Sequence, residues 1–338
     1  RVLTTLGHQE PDRVPLFLLL TMHGAKELGT TIPDYFSKAE NVAEGQMKLR
    51  EKYGDDCLYN IFYAPIEVEA AGGDVIFRDD GPANSGKPLI QSIEDIKSYQ
   101  HPDPKTSPLL SEVLKATSLM KNEIGDEAPI IGVVMSPFSL PVMQMGFDKY
   151  LELMVYNEDE FNILMDKNIE FCVAWANAQL EAGATAIGYF DPVSASSIIT
   201  REQYLNTGFK IAKKTISQIN GPTATHFASA RCLPILDDVS QTGTLIAGIS
   251  SLEDSKDLKE VSKGKITLLG NLNGIEMVRW TPEMAEQKVK EVISKAGAGG
   301  GFILSDNHGE IPFQVPDEVL FAISKAVRKW GKYPLKNN

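Results

Sequence analysis

The chain is poor in cysteine, which excludes one common way of stabilising a protein. Its 338 residues contain three cysteines, Cys57, Cys172 and Cys232, which lie far apart in the sequence. An odd and widely spaced set does not form a disulfide framework of the kind found in small secreted proteins. We therefore expect a protein of the reducing cytoplasm.

Basic residues and long apolar runs are also scarce. Lys and Arg number 33 against 45 Asp and Glu, which gives a net charge of −12. Nucleic acids and anionic membrane surfaces bind clustered cations, so we expect neither as a partner. No apolar run approaches the roughly 18 residues of a membrane span, and the first residues lack the pattern of a signal peptide.

Several short catalytic motifs are absent as well. The sequence has no HExxH, no CxxC pair and no GxSxG elbow, which argues against the enzyme classes that carry these motifs. The glycine-rich "AGAGGG" at 296–301 precedes an apolar run instead of following one. We therefore interpret it as a helix-to-strand turn and not as a phosphate-binding loop.

What the sequence does contain is a regular alternation of strand and helix patterns. Short apolar runs alternate with longer stretches in which apolar residues recur three and four positions apart, as in 159–183. Eight such units favour a (β/α)8 TIM barrel, an α/β fold, over a doubly wound sheet, and we assign residues 1–338 to a single domain. The segment 66–90, rich in Gly, Asp and Pro, predicts an N-terminal excursion made of a helical turn and a hairpin over one barrel mouth. The predicted strands are 14–21, 57–62, 129–136, 186–192, 223–229, 244–250, 266–272 and 301–307.

Polar side chains follow several of these strands at their carboxyl ends. In a TIM barrel the carboxyl ends of the strands form the face that carries the chemistry. Two of the five histidines of the chain lie at such ends, and we predict the site there. The polar residues at these ends are Asp191, His226, Asn271, Asp306, Asn307, His308 and Glu310.

Five segments occur in an order that points to a family. They are "EPDRVPLF" (10–17), "EAAGGDVIF" (69–77), "EAGATAIGYFDPVSASSIIT" (181–200), "LLGNLNG" (268–274) and "GGFILSDNHGEIPFQVPDEVL" (300–320). In this order they resemble the opening strand, the first hairpin, the fourth strand and the last two strands of the uroporphyrinogen decarboxylase superfamily. Within that superfamily, the chain resembles the corrinoid-dependent methyltransferases.

The resemblance separates two branches by their residue chemistry. A true decarboxylase follows the first strand with arginines that hold the porphyrinogen carboxylates. The corresponding stretch here, 21–29, contains no arginine, and a tetrapyrrole with many carboxylates would meet an acidic protein. Methyl transfer is therefore the favoured expectation, and a decarboxylase-like activity is the less favoured one.

The methyltransferase branch implies a zinc site, from which this chain departs. The branch typically binds zinc through a His-x-Cys pair after the fifth strand and a second Cys after the eighth. His226 matches the first position, Ala228 stands where the next cysteine would be, and His308 takes the last position. The resemblance thus implies zinc held by His226 and His308, with Cys232 or a carboxylate as the third ligand. Imidazole ligands leave zinc more Lewis-acidic than thiolates do, which suits an oxygen substrate.

This departure favours demethylation of a methoxylated compound, preferably an aromatic methyl ether. The methyl group would pass to the cobalt(I) corrinoid of a partner protein, and zinc or a proton donor would assist the leaving oxygen. Glu310, Asp306 and Glu69 are candidates for the carboxylate ligand or the proton donor. Asp191 is expected to orient a ligand or a substrate hydroxyl. Transfer to a thiol such as coenzyme M is the alternative, and the missing cysteines count against it.

Four more residues are assigned to substrate binding, and each also has an ordinary structural explanation. His23 follows the first predicted strand, where a solvated loop histidine is equally expected. Aromatic residues at strand ends suit a flat guest, but they also pack between a barrel and its helices. Cys232 is equally explained as an inert core thiol, and the sequence does not decide whether the chain self-associates. The four residues are His23, Tyr189, Phe227 and Asn271.

Overall fold

A curled parallel sheet lies at the centre of the molecule. The structure is a computed structural model that describes residues 1–335. Seven strands pair in the order β1-β4-β5-β6-β7-β8-β9, all parallel, and β2 pairs with β3 as an antiparallel hairpin. The strands are β1 (Leu58–Tyr59), β2 (Val75–Ile76), β3 (Asn84–Ser85), β4 (Ile130–Met135), β5 (Ala186–Phe190), β6 (Thr223–His226), β7 (Ile246–Gly248), β8 (Thr267–Leu272) and β9 (Phe302–Asp306).

Helices separate the strands and cover the outside of the sheet. Every residue of β8 and β9 is buried, as expected for parallel strands with a helix layer on one face and a filled barrel on the other. None of the helices in the described part of the chain is long and apolar enough to cross a membrane. The helices are α1 (Val2–Leu6), α2 (His23–Leu28), α3 (Ile32–Phe36), α4 (Ala39–Tyr53), α5 (Ile66–Ala70), α6 (Ile93–Ser98), α7 (Pro108–Ile124), α8 (Pro141–Met145), α9 (Phe147–Tyr156), α10 (Glu158–Glu181), α11 (Arg201–Asn206), α12 (Gly208–Ile216), α13 (Leu236–Val239), α14 (Ser255–Ser262), α15 (Pro282–Ala296) and α16 (Asp317–Trp330).

Local sequence signals explain where two of the longer helices begin. Helix α10 has three acidic residues in its first turn, where negative charge stabilises the positive end of the helix dipole. Helix α15 begins with Pro282, and the Thr281 side chain accepts a hydrogen bond from the Met284 amide, which satisfies one free N–H of the first turn. The prediction of one long helix at 159–183 is confirmed by α10.

The segment 14–21 closes the curled sheet without forming a regular strand. The Phe17 amide donates to the Leu304 carbonyl over 2.9 Å, and the Asp56 amide donates to the Leu16 carbonyl over 2.9 Å. The segment therefore lies between β9 and the residues that precede β1, and the fold is TIM-barrel-like, as predicted.

The predicted strand at 14–21 is nevertheless wrong as a strand, since it contributes only one parallel bridge to the sheet, at Leu16. The physical reason is that two amides of this segment donate to side-chain carboxylates and not to backbone carbonyls of a neighbouring strand. The Leu16 amide donates to Asp56 Oδ2 over 2.8 Å, and the Leu18 amide donates to Asp55 Oδ1 over 2.9 Å. The backbone hydrogen-bond ladder between this segment and the residues that precede β1 is therefore interrupted.

The other seven predicted strands correspond to β1 and β4 to β9, with ends that differ by a few residues. The excursion at 66–90 contains α5 followed by the β2–β3 hairpin, as predicted. The Gln314 side-chain amide donates to the Asp80 carbonyl over 2.6 Å. This contact ties the hairpin to the chain that follows β9, at the carboxyl ends of the strands.

Candidate active site

A short loop after β9 crosses the barrel mouth, the end of the barrel at which the parallel strands finish. On one side of this loop, the Tyr59 hydroxyl donates to the Gly309 carbonyl over 3.2 Å, and the Thr21 hydroxyl donates to the Glu310 carboxylate. On the other side, Gly309 lies against the ring of His226. Four polar side chains meet along the loop and are called the mouth cluster: Asp306, Glu310, His226 and His308.

Asp306 carries a fully buried carboxyl group. One of its oxygens accepts hydrogen bonds, and the other has no partner among the described residues. Its Oδ2 accepts hydrogen bonds from the amides of His308, over 2.7 Å, and Gly309, over 3.0 Å. Its Oδ1 has no hydrogen-bond partner among the described residues. Burial penalises the charged form and raises the pKa of Asp306 to about 7. Since the two amides occupy Oδ2, the proton of the neutral acid belongs on Oδ1.

Glu310 is a second buried carboxyl group beside the first. Burial, opposed by the hydrogen bond from Thr21 and supported by the neighbouring Asp306, raises the pKa of Glu310 to about 7. The Tyr59 phenol is fully buried, and its pKa is raised well above the ordinary value by burial and by these two carboxyl groups. The mouth cluster therefore holds protons on its carboxyl groups near neutral pH.

His226 is the last residue of β6, and its ring is fixed by one hydrogen bond and by close packing. The Ala228 amide donates to His226 Nδ1 over 3.0 Å, with Ala228 at a φ of 50°. Phe190 stacks on the imidazole with ring centroids 4.7 Å apart and an interplanar angle of 20°. A Cβ on Gly248 would lie 2.4 Å from His226 Cδ2, so only glycine allows this approach. Burial lowers the pKa of His226 to about 4, and Nε2 has no partner among residues 1–335.

His308 lies at the edge of the mouth cluster and is half-buried. Its Nε2 lies 3.5 Å from Asn273 Oδ1, an oxygen that also accepts from the Glu276 amide over 3.2 Å. Burial lowers the pKa of His308. Asn273 also lines an open cleft of about 440 Å³, which is bordered by the loops after β7 and β8 and by Trp280. His308 therefore stands between this cleft and the buried part of the mouth cluster.

The predicted zinc ligands do not form a metal-binding group. Within the described range, no three His, Cys, Asp or Glu side chains are arranged to hold a metal ion. The Cys232 amide donates to Glu253 Oε2 over 2.8 Å, and burial together with that carboxylate raises the pKa of the Cys232 thiol well above its ordinary value. A metal-binding imidazole normally donates its other N–H to an acceptor, whereas His226 Nδ1 accepts a hydrogen bond. The residues present do not fit zinc.

His23 borders the mouth cluster, and the expectation of a solvated loop residue is wrong. It is the first residue of α2 and is buried, and neither ring nitrogen has a hydrogen-bond partner in the described part of the chain. Its ring centroid lies 5.8 Å from that of Phe313, in the chain that continues from Glu310. Burial lowers the pKa of His23 to about 3, so the ring is neutral.

Two residues predicted to act on ligand or substrate are engaged elsewhere. Asp191 Oδ1 accepts from the hydroxyls of Ser136, over 2.5 Å, and Ser139, over 2.8 Å, and so ties β5 to the loop after β4. Asn271 accepts from the Ser255 hydroxyl over 3.0 Å and donates to a backbone carbonyl over 2.9 Å. Asp191 supports the mouth from outside the cluster, and Asn271 fixes one wall of the cleft.

Three further predicted residues lie outside the mouth cluster. Tyr189 points to the helix layer, where its hydroxyl lies beside Thr215 and Cys172, because successive side chains of a strand face opposite sides. Phe227 is fully buried in the apolar core. Glu69 lies on α5 and accepts a hydrogen bond from the Tyr63 hydroxyl over 2.6 Å. Tyr189 and Phe227 therefore lie away from the mouth cluster, their assignment to substrate binding stays a prediction, and Glu69 belongs to the excursion.

The structure adds residues that sequence reasoning missed. Thr21 and Tyr59 anchor the loop after β9, and Gly248 lies against the His226 ring. Sequence reasoning places Phe190 only among several strand-end aromatic residues, and the structure shows that it stacks on His226. Their roles depend on contacts between distant parts of the chain, which spacing along the sequence does not reveal. The one available signal was their position at or near strand ends, which Phe190 and Gly248 share with His226.

Comparisons with known proteins agree with this architecture. The family model described as "Uroporphyrinogen decarboxylase (URO-D)" matches residues 1–330. Uroporphyrinogen decarboxylase of Magnetococcus marinus is 26% identical over 98% of this chain and 96% of its own length, and that of Shewanella piezotolerans is 24% identical over 98% of both. A solved methyltransferase from Methanosarcina mazei is similar with a TM-score of 0.87 and 20% identity, covering 97% of each chain.

Proposed function

The chain belongs to the uroporphyrinogen decarboxylase family, and from that premise we propose that it is a methyltransferase that demethylates a methoxylated small molecule. The methyl group passes to the cobalt(I) corrinoid of a partner protein. The observation that carries the proposal is the buried carboxyl group of Asp306 at the barrel mouth, whose Oδ1 has no partner among the described residues and whose pKa is raised to about 7 by burial.

The reaction explains why such an acid is needed. Cobalt(I) is a strong nucleophile, whereas an alkoxide or phenoxide is a poor leaving group, so the difficult event is the departure of oxygen. The C–O bond of the methyl ether breaks, a C–Co bond forms with the electron pair of cobalt, and the electron pair of the broken bond goes to oxygen. The proton that neutralises this oxygen comes from the enzyme. The products are a free hydroxyl compound and the methylated corrinoid.

The residues of the mouth cluster supply the proton and hold it in place. Asp306 holds it on Oδ1, since its Oδ2 is occupied by two amides. Glu310, anchored by the Thr21 hydroxyl, is a second buried carboxyl group that keeps the site protonated. Proton transfer of this kind contributes about 10²- to 10⁴-fold to a rate. No step of this mechanism uses zinc, because the donor atoms present do not fit a zinc ion.

An aromatic methyl donor suits the walls of the site. Phe190 and Phe313 are both half-buried and lie against His226 and His23 respectively. Flat apolar rings next to these imidazoles favour an aromatic guest over an aliphatic one. The cleft beside His308 gives solvent access at the same end of the barrel, which is the end a corrinoid protein must approach.

Decarboxylation of a porphyrinogen is the second candidate, and the printed names of the relatives favour it. The charges at the mouth argue against it. A substrate with many carboxylates needs arginines to hold it, whereas the mouth cluster consists of two carboxyl groups and two neutral imidazoles. Arg13 is buried and pairs with Asp56 over 2.8 Å ahead of the first strand segment, away from the mouth. Arg231, in the loop after β6, is exposed and lies outside the mouth cluster.

The proposal is tested by following methyl transfer directly. Purified protein treated with a chelator is mixed with chemically reduced cobalamin and ortho-methoxyphenol, and the spectrum of the corrinoid and the release of catechol are recorded. Equal amounts of methylated corrinoid and catechol are expected from the wild type, and little of either from Asp306→Asn. A matched incubation with uroporphyrinogen tests the second candidate, and release of carbon dioxide there without any demethylation would reverse the assignment.

A further inference from the structure

We propose that His226 is a neutral hydrogen-bond donor that presents its Nε2–H to an oxygen atom of the bound methyl donor, in a site that binds no metal. The inference concerns the atom that recognises the substrate. It rests on the proposed function only for the identity of that substrate, because the tautomer and the metal content of the protein can be measured without any reaction.

The tautomer follows from one backbone hydrogen bond. The Ala228 amide donates to His226 Nδ1 over 3.0 Å, so Nδ1 uses its lone pair and carries no proton. A neutral imidazole has one proton, which must then be on Nε2. The ring is fully buried, and no carboxylate among residues 1–335 pairs with it to stabilise an imidazolium, so it stays neutral. His226 therefore offers a single N–H that lacks a partner within the described residues.

The packing fixes the plane of the ring, and the hydrogen bond from Ala228 selects between its two orientations. Phe190 covers one face of the imidazole, and Gly248 lies so close to the other side that any Cβ there would clash with Cδ2. A Cβ on Gly309 would be 3.5 Å from Cε1. If the imidazole were rotated by 180° about its Cβ–Cγ bond, a C–H group would face the Ala228 amide. That amide would lose its hydrogen bond, at a cost of about 1–3 kcal/mol.

The same geometry is opposed to metal binding. A metal bound at Nε2 requires the lone pair there, and the proton must then sit on Nδ1 and point to an acceptor. In this structure Nδ1 faces a donor instead. His308 differs, because its Nε2 lies 3.5 Å from the acceptor Asn273 Oδ1, which leaves the lone pair on Nδ1. A single imidazole of this kind does not make a metal site, and no group of three metal-binding side chains lies within the described residues. Cys232 is held in the core next to Glu253.

The N–H at Nε2 of His226 specifies the kind of methyl donor that the site can bind. A buried N–H needs an acceptor with a lone pair, which an ether, phenol or carboxylate oxygen provides and a quaternary ammonium nitrogen does not. A site that left this N–H unpaired would bind its ligand less tightly. Methoxylated compounds are therefore expected as substrates, and a methyl donor that has no oxygen acceptor, such as tetramethylammonium, is expected to be excluded.

The first test uses nitrogen NMR on protein with ¹⁵N-labelled histidine and needs no substrate. The signal that disappears in His226→Gln identifies His226, and it should show the Nε2–H tautomer with no change when one equivalent of zinc is added. Metal analysis of the purified wild type should find far less than one equivalent of zinc. An Nδ1–H tautomer, or stoichiometric zinc that is lost in His226→Gln, would overturn the inference whether or not the protein transfers methyl groups.

Two substitutions separate a hydrogen-bond donor from a metal ligand by binding alone. His226→Gln keeps an N–H donor near the position of Nε2, whereas His226→Ala removes it. Loss of one neutral hydrogen bond costs about 1 kcal/mol, so the dissociation constant of ortho-methoxyphenol should rise by about fivefold in His226→Ala and change less in His226→Gln. Equal loss in both variants, with both folded by circular dichroism, would contradict the donor role.

Discussion

Replacement of Gly309 by alanine tests the packing that holds the mouth cluster together. Gly309 has a φ of 89°, and an added Cβ would lie 2.4 Å from Phe190 Cε1. Gly72, in the turn after α5, provides a matched control because its φ is 91° and a Cβ there meets no atom within 4 Å. Gly72→Ala therefore carries the backbone strain of a positive φ without the steric conflict.

The expected magnitudes follow from these two geometries. The positive φ costs alanine about 1–2 kcal/mol at either position. Forcing a methyl group against Phe190 adds about 1–3 kcal/mol at Gly309. An unfolding entropy of about 2.1 cal/mol/K per residue over 338 residues makes 1 kcal/mol correspond to about 1.4 °C. The melting temperature should fall by about 1–3 °C in Gly72→Ala and by about 3–7 °C in Gly309→Ala.

Calorimetry of both variants and the demethylation assay give the readouts. Because the added methyl group displaces Phe190, which stacks on His226, Gly309→Ala should also slow demethylation by about ten- to a hundredfold. Gly72→Ala should leave the rate unchanged. Equal melting temperatures in the two variants, or an unchanged rate in Gly309→Ala, would refute the close packing of the loop after β9 on the His226 ring.

Three further predictions concern single side chains. Asp306→Asn keeps an acceptor for the two amides but has no acidic proton, so demethylation should slow by about 10²- to 10⁴-fold with little change in melting temperature; a rate within threefold of wild type would remove Asp306 from the mechanism. Burial raises the pKa of Glu67 to about 8 from an ordinary 4.5, so between those values the folded state holds a proton that the unfolded state has lost. The free energy of unfolding should therefore fall as the pH rises through this window, by up to about 1.4 kcal/mol per pH unit from this group, and Glu67→Gln should remove that part of the slope; parallel stability curves would contradict the assignment. Cys232→Ala should destabilise the protein by about 1 kcal/mol as a truncated core residue without changing metal content or rate, whereas loss of a bound metal would restore Cys232 as a ligand.

The barrel could be predicted from the sequence because its signals are local. Seven apolar runs of strand length became β1 and β4 to β9, and the Gly- and Asp-rich segment gave the hairpin. The eighth run failed as a strand because Asp55 and Asp56 accept hydrogen bonds from amides of that segment. Two side chains almost forty positions away decide that outcome, and apolar periodicity does not report them.

The site could be predicted only in part, for a related reason. Strand-end position correctly brought Asp306, His308, Glu310 and His226 together. It failed for Tyr189, because the strand alternation turns that side chain to the helix layer. The zinc expectation came from the resemblance and depended on donor atoms that the sequence cannot orient. Whether His226 Nδ1 meets a donor or an acceptor is decided by the backbone at Ala228.

We propose that this chain removes a methyl group from an oxygen with the help of a protonated carboxyl group and without zinc. The most direct measurement is a single-turnover reaction of chelator-treated wild-type protein with reduced cobalamin and ortho-methoxyphenol, in parallel with the same protein supplied with one equivalent of zinc. Stoichiometric methyl transfer and catechol release are expected at the same rate in both samples. Transfer that appears only after zinc is added, or no transfer in either sample, would contradict it.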